Sequence, residues 1–238
     1  LLAGKSMQLP ETLHLLKSVG KSNTIVVSLL NGVHQKQRLI DAGISPASIC
    51  IGIANIIVSE KSIGDIHHTG VVPHLTLEAI TSAQGDTNSI VKIFSDSAMD
   101  AGVRVSLKKD IKRSLWQKFC FVAPWGTLAS TLNLPIGKLL SVQAYEKKLK
   151  AIIAEYVEIA LHHQAQLKPS AAEDILSAIK KLPASSTTSM QRDFAQGKVG
   201  EYDALCEYPY QYAKSQQIDI PVLSYYYDLL TNQCIAMK

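Results

Sequence analysis

The 238-residue sequence is poor in the signals that settle a protein's class early. Its four cysteines, Cys50, Cys120, Cys206 and Cys234, are far apart, with no CxxC pair and no Cys/His cluster at zinc spacing. That excludes a zinc ribbon and a dithiol redox motif. Three of them lie among apolar or aromatic neighbours, as buried free thiols of a reducing compartment do, so a cytoplasmic location is expected. No run of about 18 apolar residues is present, so no membrane span is expected. No charged segment leads into an apolar core and a cleavage site at the start. Net charge is only +4, without a basic stripe interleaved with aromatics, which argues against a nucleic-acid partner. There is no glycine-rich phosphate loop, no Ser-His-Asp order and no internal repeat. His67-His68 and His162-His163 are adjacent pairs that face different sides of any element, so no metal site is expected. The opening, Leu1-Leu2-Ala3-Gly4-Lys5, has no initiator methionine and reads like the end of a buried strand, so we expect an N-terminal portion to be missing.

What is present is ordinary globular usage, 47% hydrophobic and 18% charged, enough for one large or two small domains. Residues 10–19 read as a short helix, with Pro10 in its first turn and Gly20 ending it. Thr24–Leu30 is a β-branched apolar run of the kind found in a parallel strand buried on both faces. Asn31-Gly32 closes it, and a helix from about Gln35 to Ala42 follows, the tail of a doubly wound unit. Ser48 to Thr81 is strand-like in three pieces, Ile49–Val58, Gly64–Thr69 and Val72–Ile80, suited to an antiparallel extension. A helix over Asn88–Ala101 and a short strand over Val103–Ser106 come next. Beyond Asp110 the pattern is helical: Asp110 to about Leu128, Pro135–Leu140, Gln143 to about Gln166, Ala171–Leu182, Glu201–Gln217 and Pro221–Met237. Pro183–Gln191 reads as a Ser/Thr-rich loop. The fold class expected is α/β: a partial Rossmann-type domain over residues 1–107, then an all-α domain over 108–238. The Tyr225–Leu230 run is a candidate homodimer surface.

The residue that stands out is Lys118, set in Leu115-Trp116-Gln117-Lys118-Phe119-Cys120-Phe121-Val122. Either it snorkels from a helix edge or its ammonium is desolvated, with the lowered pKa a general acid needs. Lys5 follows the strand-like start and Asn31 ends the next strand. Both therefore fall on the carboxyl edge of the sheet, where ligands of open α/β folds sit, although Asn-Gly is also a plain turn signal. Glu201 opens a helix, a position acids also take to meet the helix dipole. Ser189 and Asp193 are candidate turn caps.

Taken in order, Lys5-x-x-Gln8, Leu30-Asn31-Gly32, Leu115-Trp116-x-Lys118, Ser189-Met190-x-x-Asp193 and Glu201-x-Asp203 resemble the ketopantoate reductase (2-dehydropantoate 2-reductase) family. Gly64-Asp65-Ile66-His67-His68-Thr69-Gly70, Ile218-Asp219-Ile220-Pro221 and Glu155 are similar to further family features. The resemblance spans nearly the whole chain. It implies an NADPH-binding Rossmann domain whose GxGxxG turn lies upstream of Leu1, so that this chain alone binds the cofactor poorly. It implies reduction of a 2-oxo acid to a 2-hydroxy acid, 2-dehydropantoate to pantoate, in pantothenate synthesis. Lys118 is then the general acid and Glu201 its charge partner, both catalytic. Asn31 serves cofactor and substrate, Ser189 the substrate, and Lys5 and Glu155 the cofactor. The family carries asparagines four and eight positions after the lysine, as substrate contacts; here those positions are Val122 and Gly126, and Pro124 interrupts the helix pattern. A paralogous reductase of a more apolar 2-oxo acid, or a non-catalytic NADP-binding or dimerising protein, are the alternatives.

Overall fold

The computed structural model describes residues 1–21, 23–80 and 89–237. Thr81 and Asn88, the outer limits of two expected elements, lie outside the described residues. The chain forms two compact units. The first comprises Leu1–Gly4, Gln8–Leu30 and Gln35–Ile111; the second comprises Lys5–Met7, Asn31–His34 and Lys112–Lys238. The two short segments that hold Lys5 and Asn31 thus group with the helical unit, which a single cut near residue 107 does not express.

In the first unit, helix α1 (Leu9–Val19) has Pro10 in its first turn, and the Gly20 N–H closes it on the Leu16 carbonyl. Strand β1 (Val26–Ser28) is buried along its length, and α2 (Gln35–Asp41) follows. The strands β2 (Ile49–Ser62), β3 (Asp65–Glu78) and β4 (Arg104–Lys108) complete a sheet in the order β1-β2-β3-β4, with α3 (Ser89–Asp100) before β4. β1 runs parallel to β2, β2 antiparallel to β3, and β3 parallel to β4. Leu2 bridges Ser28 in parallel, as a strand-end beside β1 would. The expected Gly64–Thr69 and Val72–Ile80 pieces are one strand. Their gap is absorbed where the β2–β3 register shifts between Asn55 and Ile57, an irregularity that keeps the ladder going across Gly70. The core here is Val27, Cys50, Leu77 and Val91. All four cysteines are buried and unbridged.

The second unit is helical: α4 (Lys112–Leu132), α5 (Ile136–Ser141), α6 (Gln143–His162), α7 (Ala171–Ile179), α8 (Ser189–Ala195), a π-helical turn (Asp203–Glu207), α9 (Tyr208–Ser215) and α10 (Pro221–Ala236). Its core joins Trp116, Phe119 and Cys120 of α4 to Ile152, Ile153 and Tyr156 of α6 and Leu223, Tyr226 and Leu230 of α10. Tyr226 and Leu230 are therefore interior, and Tyr225 and Asp228 are the exposed members of that run. Three expectations change. Helix α4 runs through Pro124 without interruption; the proline is buried with both neighbours, and that packing outweighs the backbone bond it removes. Ser189–Gln191 belongs to a helix, capped by Thr188, whose side chain accepts from the Gln191 N–H. The single helix expected over Glu201–Gln217 is a π-helical turn leading into a short α-helix.

Candidate active site

Helix α4 carries Lys118 on a half-exposed face, with Trp116, Phe119 and Cys120 buried around it. Its ammonium donates to Asn31 Oδ1 at 3.1 Å. Asn31 Nδ2 in turn donates to Glu201 Oε2 at 2.8 Å. The amide is a joint between cation and anion, and only one of its two orientations serves both: the reversed one would face NH2 to ammonium and oxygen to carboxylate. Burial pushes the Lys118 ammonium below the usual lysine range, and the charge of Glu201 opposes that shift. Glu201 is buried, 5% exposed. Burial raises its pKa, while the Asn31 hydrogen bond and the charges of Lys5 and Lys118 pull it down and Asp203 adds to the rise. An ammonium and a carboxylate are thus each drawn toward neutrality by burial, and the charge of each opposes that shift in the other.

A second layer surrounds Glu201. Lys5 Nζ reaches both oxygens of Asp193 at 2.6 Å, and the buried Ser6 hydroxyl donates to Asp203 Oδ1. Gly200 makes this layer possible. Its φ is +62°, and a Cβ there would stand 2.7 Å from Asp193 Oδ2 and 2.9 Å from Asp193 Cβ. Only glycine permits that turn and that approach together. Spacing alone gave Asp193 no role beyond a cap, because its partner is 188 residues away; the Lys5-x-x-Gln8 and Ser189-Met190-x-x-Asp193 motifs were the signal.

The remaining expected residues fall elsewhere. Ser189 is exposed at the start of α8. Val122 is half-buried one turn beyond Lys118. Gly126 is buried, and the space a Cβ would enter is lined by Met190 Cε at 3.6 Å and Thr188 Oγ1 at 3.8 Å. A Cβ there would make ordinary van der Waals contact with these atoms. Glu155 does not join the cluster: its two oxygens accept from the Val222 and Leu223 N–H groups at 2.8 and 2.6 Å. It supplies the cap that Ile220, at the N-terminus of α10, has no side-chain oxygen to give.

An ammonium, amide and carboxylate joined in line, in a helical unit that follows a partly parallel sheet, define a candidate acid–base centre. Residues 110–233 match the family model described as ketopantoate reductase PanE/ApbA C terminal, and residues 1–81 match that described as ketopantoate reductase PanE/ApbA. The chain belongs to this family of oxidoreductases. It is 20% identical over 227 residues to an uncharacterized oxidoreductase, YkpB, of Bacillus subtilis, covering 95% of this chain and 74% of that protein. It is 24% identical over 196 residues to 2-dehydropantoate 2-reductase of Streptococcus pyogenes, covering 82% of this chain and 62% of that protein. The fold is shared with dimeric ketopantoate reductase of Staphylococcus aureus, at a TM-score of 0.85 and 17% identity over 99% of this chain and 77% of that one. It is shared equally with D-mandelate dehydrogenase solved with NADH and anilino(oxo)acetate, at a TM-score of 0.85 and 19% identity over 99% of this chain and 76% of that one.

Proposed function

We propose that this protein reduces a 2-oxo acid to the 2-hydroxy acid with NADPH, with Lys118 as general acid; 2-dehydropantoate is the first substrate to test. The observation that carries the reading is the Lys118–Asn31–Glu201 line, in which an ammonium of lowered pKa is hydrogen-bonded to an amide that a buried carboxylate orients. A fold alone has no use for that set.

The donor set fits the reacting end of the cofactor: Asn31 follows a parallel strand and offers an amide, and Lys118 stands beside it. A glycine-rich turn for the diphosphate is not among the 238 residues. Bound NADPH supplies the hydride that arrives at C2 of the oxo acid. As charge grows on the carbonyl oxygen, Lys118 stabilises it and donates a proton to it, completing the hydroxyl. Asn31 keeps the ammonium pointed, and Glu201 keeps it charged. Lys5 is engaged by Asp193, so its part is to bias Glu201 by charge rather than to reach a ribose. Ser189, exposed at a helix start, is the candidate anchor for the substrate carboxylate. Lys118→Ala should lower turnover about 10²- to 10⁴-fold, the usual worth of a positioned acid; retained turnover would refute the role.

A second reading, reduction of a more apolar 2-oxo acid, is favoured by Val122 and by the Met190 and Thr188 atoms packed against Gly126. A site without amides there has little with which to select a hydroxylated chain. Comparing 2-dehydropantoate with phenylglyoxylate separates the two: preference for the first keeps pantoate formation, and preference for the second assigns the apolar class.

A further inference from the structure

Asn31 is not held by its hydrogen bonds alone. Three contacts in register run between the turn Asn31–His34 and the segment Glu201–Tyr208. Asn31 Nδ2 meets Glu201 at 2.8 Å. Gly32, at φ +95°, lies so near Ala204 that a Cβ on it would be 3.1 Å from the Ala204 methyl. The His34 ring stacks on Tyr208 with centroids 4.0 Å apart and planes 10° from parallel. Positions 201, 204 and 208 therefore present one face to positions 31, 32 and 34, and the π-helical turn Asp203–Glu207 contains Ala204 and ends just before Tyr208. Such turns recur where a helix must aim a residue that regular geometry would misdirect.

Tyr208 is itself braced. Its hydroxyl is 3.4 Å from His163 Nε2, His163 stacks on Tyr212 at 3.7 Å, and the same imidazole lies 4.7 Å from Trp116. Trp116 is two residues before Lys118 on α4. The rings thus connect the turn that carries Asn31 to the helix that carries Lys118. Burial, with smaller contributions from Lys112 and His162, pushes His163 down to about 4, so this ring is neutral near pH 7 and its stacking is not charge-dependent there.

We propose that His34 and Tyr208 are positioning residues: their stack sets where the Asn31 amide stands and, through it, the spacing of Lys118 and Glu201. This rests on the reading of Lys118 as the acid of a reductase. It goes beyond that reading because neither ring is one of the three groups of the Lys118–Asn31–Glu201 line.

The test is a mutant cycle in the full-length protein, with NADPH oxidation followed on 2-dehydropantoate and phenylglyoxylate. A stacked pair is worth up to about 1.5 kcal/mol, or about tenfold in rate. His34→Ala and Tyr208→Ala should each lower kcat by up to about tenfold with little change in KM. Tyr208→Phe, which keeps the ring, should stay close to the parent. In an Asn31→Ala background the same His34 change should cost almost nothing, because the group it positions is gone. Equal losses in both backgrounds, or none in either, would overturn the proposal. A second readout needs no turnover: the pH midpoint of Lys118 acetylation, read by mass spectrometry without cofactor. It should fall further below the ordinary lysine range in His34→Ala, because the Asn31 acceptor and the Glu201 charge that favour the ammonium are then less well placed, and stay put in Tyr208→Phe; an unmoved midpoint in His34→Ala also overturns the proposal. If Lys118→Ala keeps its turnover, the reading of Lys118 as the acid fails, and the acetylation midpoint still decides the stack.

Discussion

Two glutamates of the helical unit, the half-buried Glu155 and the buried Glu201, look alike in one respect and differ in all others. Burial raises the pKa of each. Glu155 gives both oxygens to backbone N–H groups at the start of α10, and its stabilising partners are fixed parts of the fold. Glu201 accepts from a side-chain amide that a lysine also uses, and the charges that oppose its neutralisation are those of Lys5 and Lys118. One carboxylate closes a helix; the other is held in balance by groups that a substrate could engage. Perturbed pKa values mark candidate sites but also structural networks, and the partners, not the shift, separate the two.

The comparison is broken most severely at the lysine. Lys118→Ala should remove about 10²- to 10⁴-fold of turnover, whereas no change at Glu155 should touch the chemical step; steady-state rates of the two variants decide this. Next is Gly200→Ala. Its methyl would collide with Asp193 and force a β-carbon into positive φ, so stability should fall by about 1 to 3 kcal/mol and Asp193 should leave Lys5; thermal unfolding and a crystal structure of the variant report both. Glu155→Ala should cost about 1 to 2 kcal/mol, the worth of a helix cap, with the KM for NADPH unchanged. A raised KM would restore a cofactor role to Glu155. The finest test is a displacement rather than a loss. Lys118 acts protonated, so the rate falls as pH rises through its pKa. The Glu201 charge raises that pKa, so Glu201→Gln should move the alkaline limb of the remaining rate to lower pH; a move to higher pH would contradict the assignment.

Elements with one strong local period were readable. β1, α2 and the helices α4–α7 and α10 follow from apolar spacing, and Asn31 lies just past β1 as strand-end logic requires. Expectations failed where a long-range contact overrides a local rule. Pro124 stays in α4 because the surrounding side chains are buried with it. Ser189–Gln191 is helical because the Thr188 cap and the apolar Met190 and Phe194, both buried, outweigh a polar run. The resemblance assigns Glu155 to the cofactor; that it caps the α10 N-terminus, 67 residues away, is not legible in spacing. Apolar character also misleads in the β2–β3 hairpin, where Ile57, Ile63 and Ile66 are exposed, while the same residue type in α6 is wholly interior. Of the site, the motif order placed Lys118, Asn31 and Glu201. That Asn31 is the joint between the other two is a property of the fold, since spacing along a chain carries no hydrogen-bond direction.

The most direct measurement is NADPH oxidation at 340 nm by the full-length protein and by its Lys118→Ala variant, offered 2-dehydropantoate and phenylglyoxylate in turn. The account predicts turnover of at least one oxo acid by the parent and its loss, by two orders of magnitude or more, in the variant. NADPH binding without turnover of either acid, or equal turnover by both proteins, would contradict it.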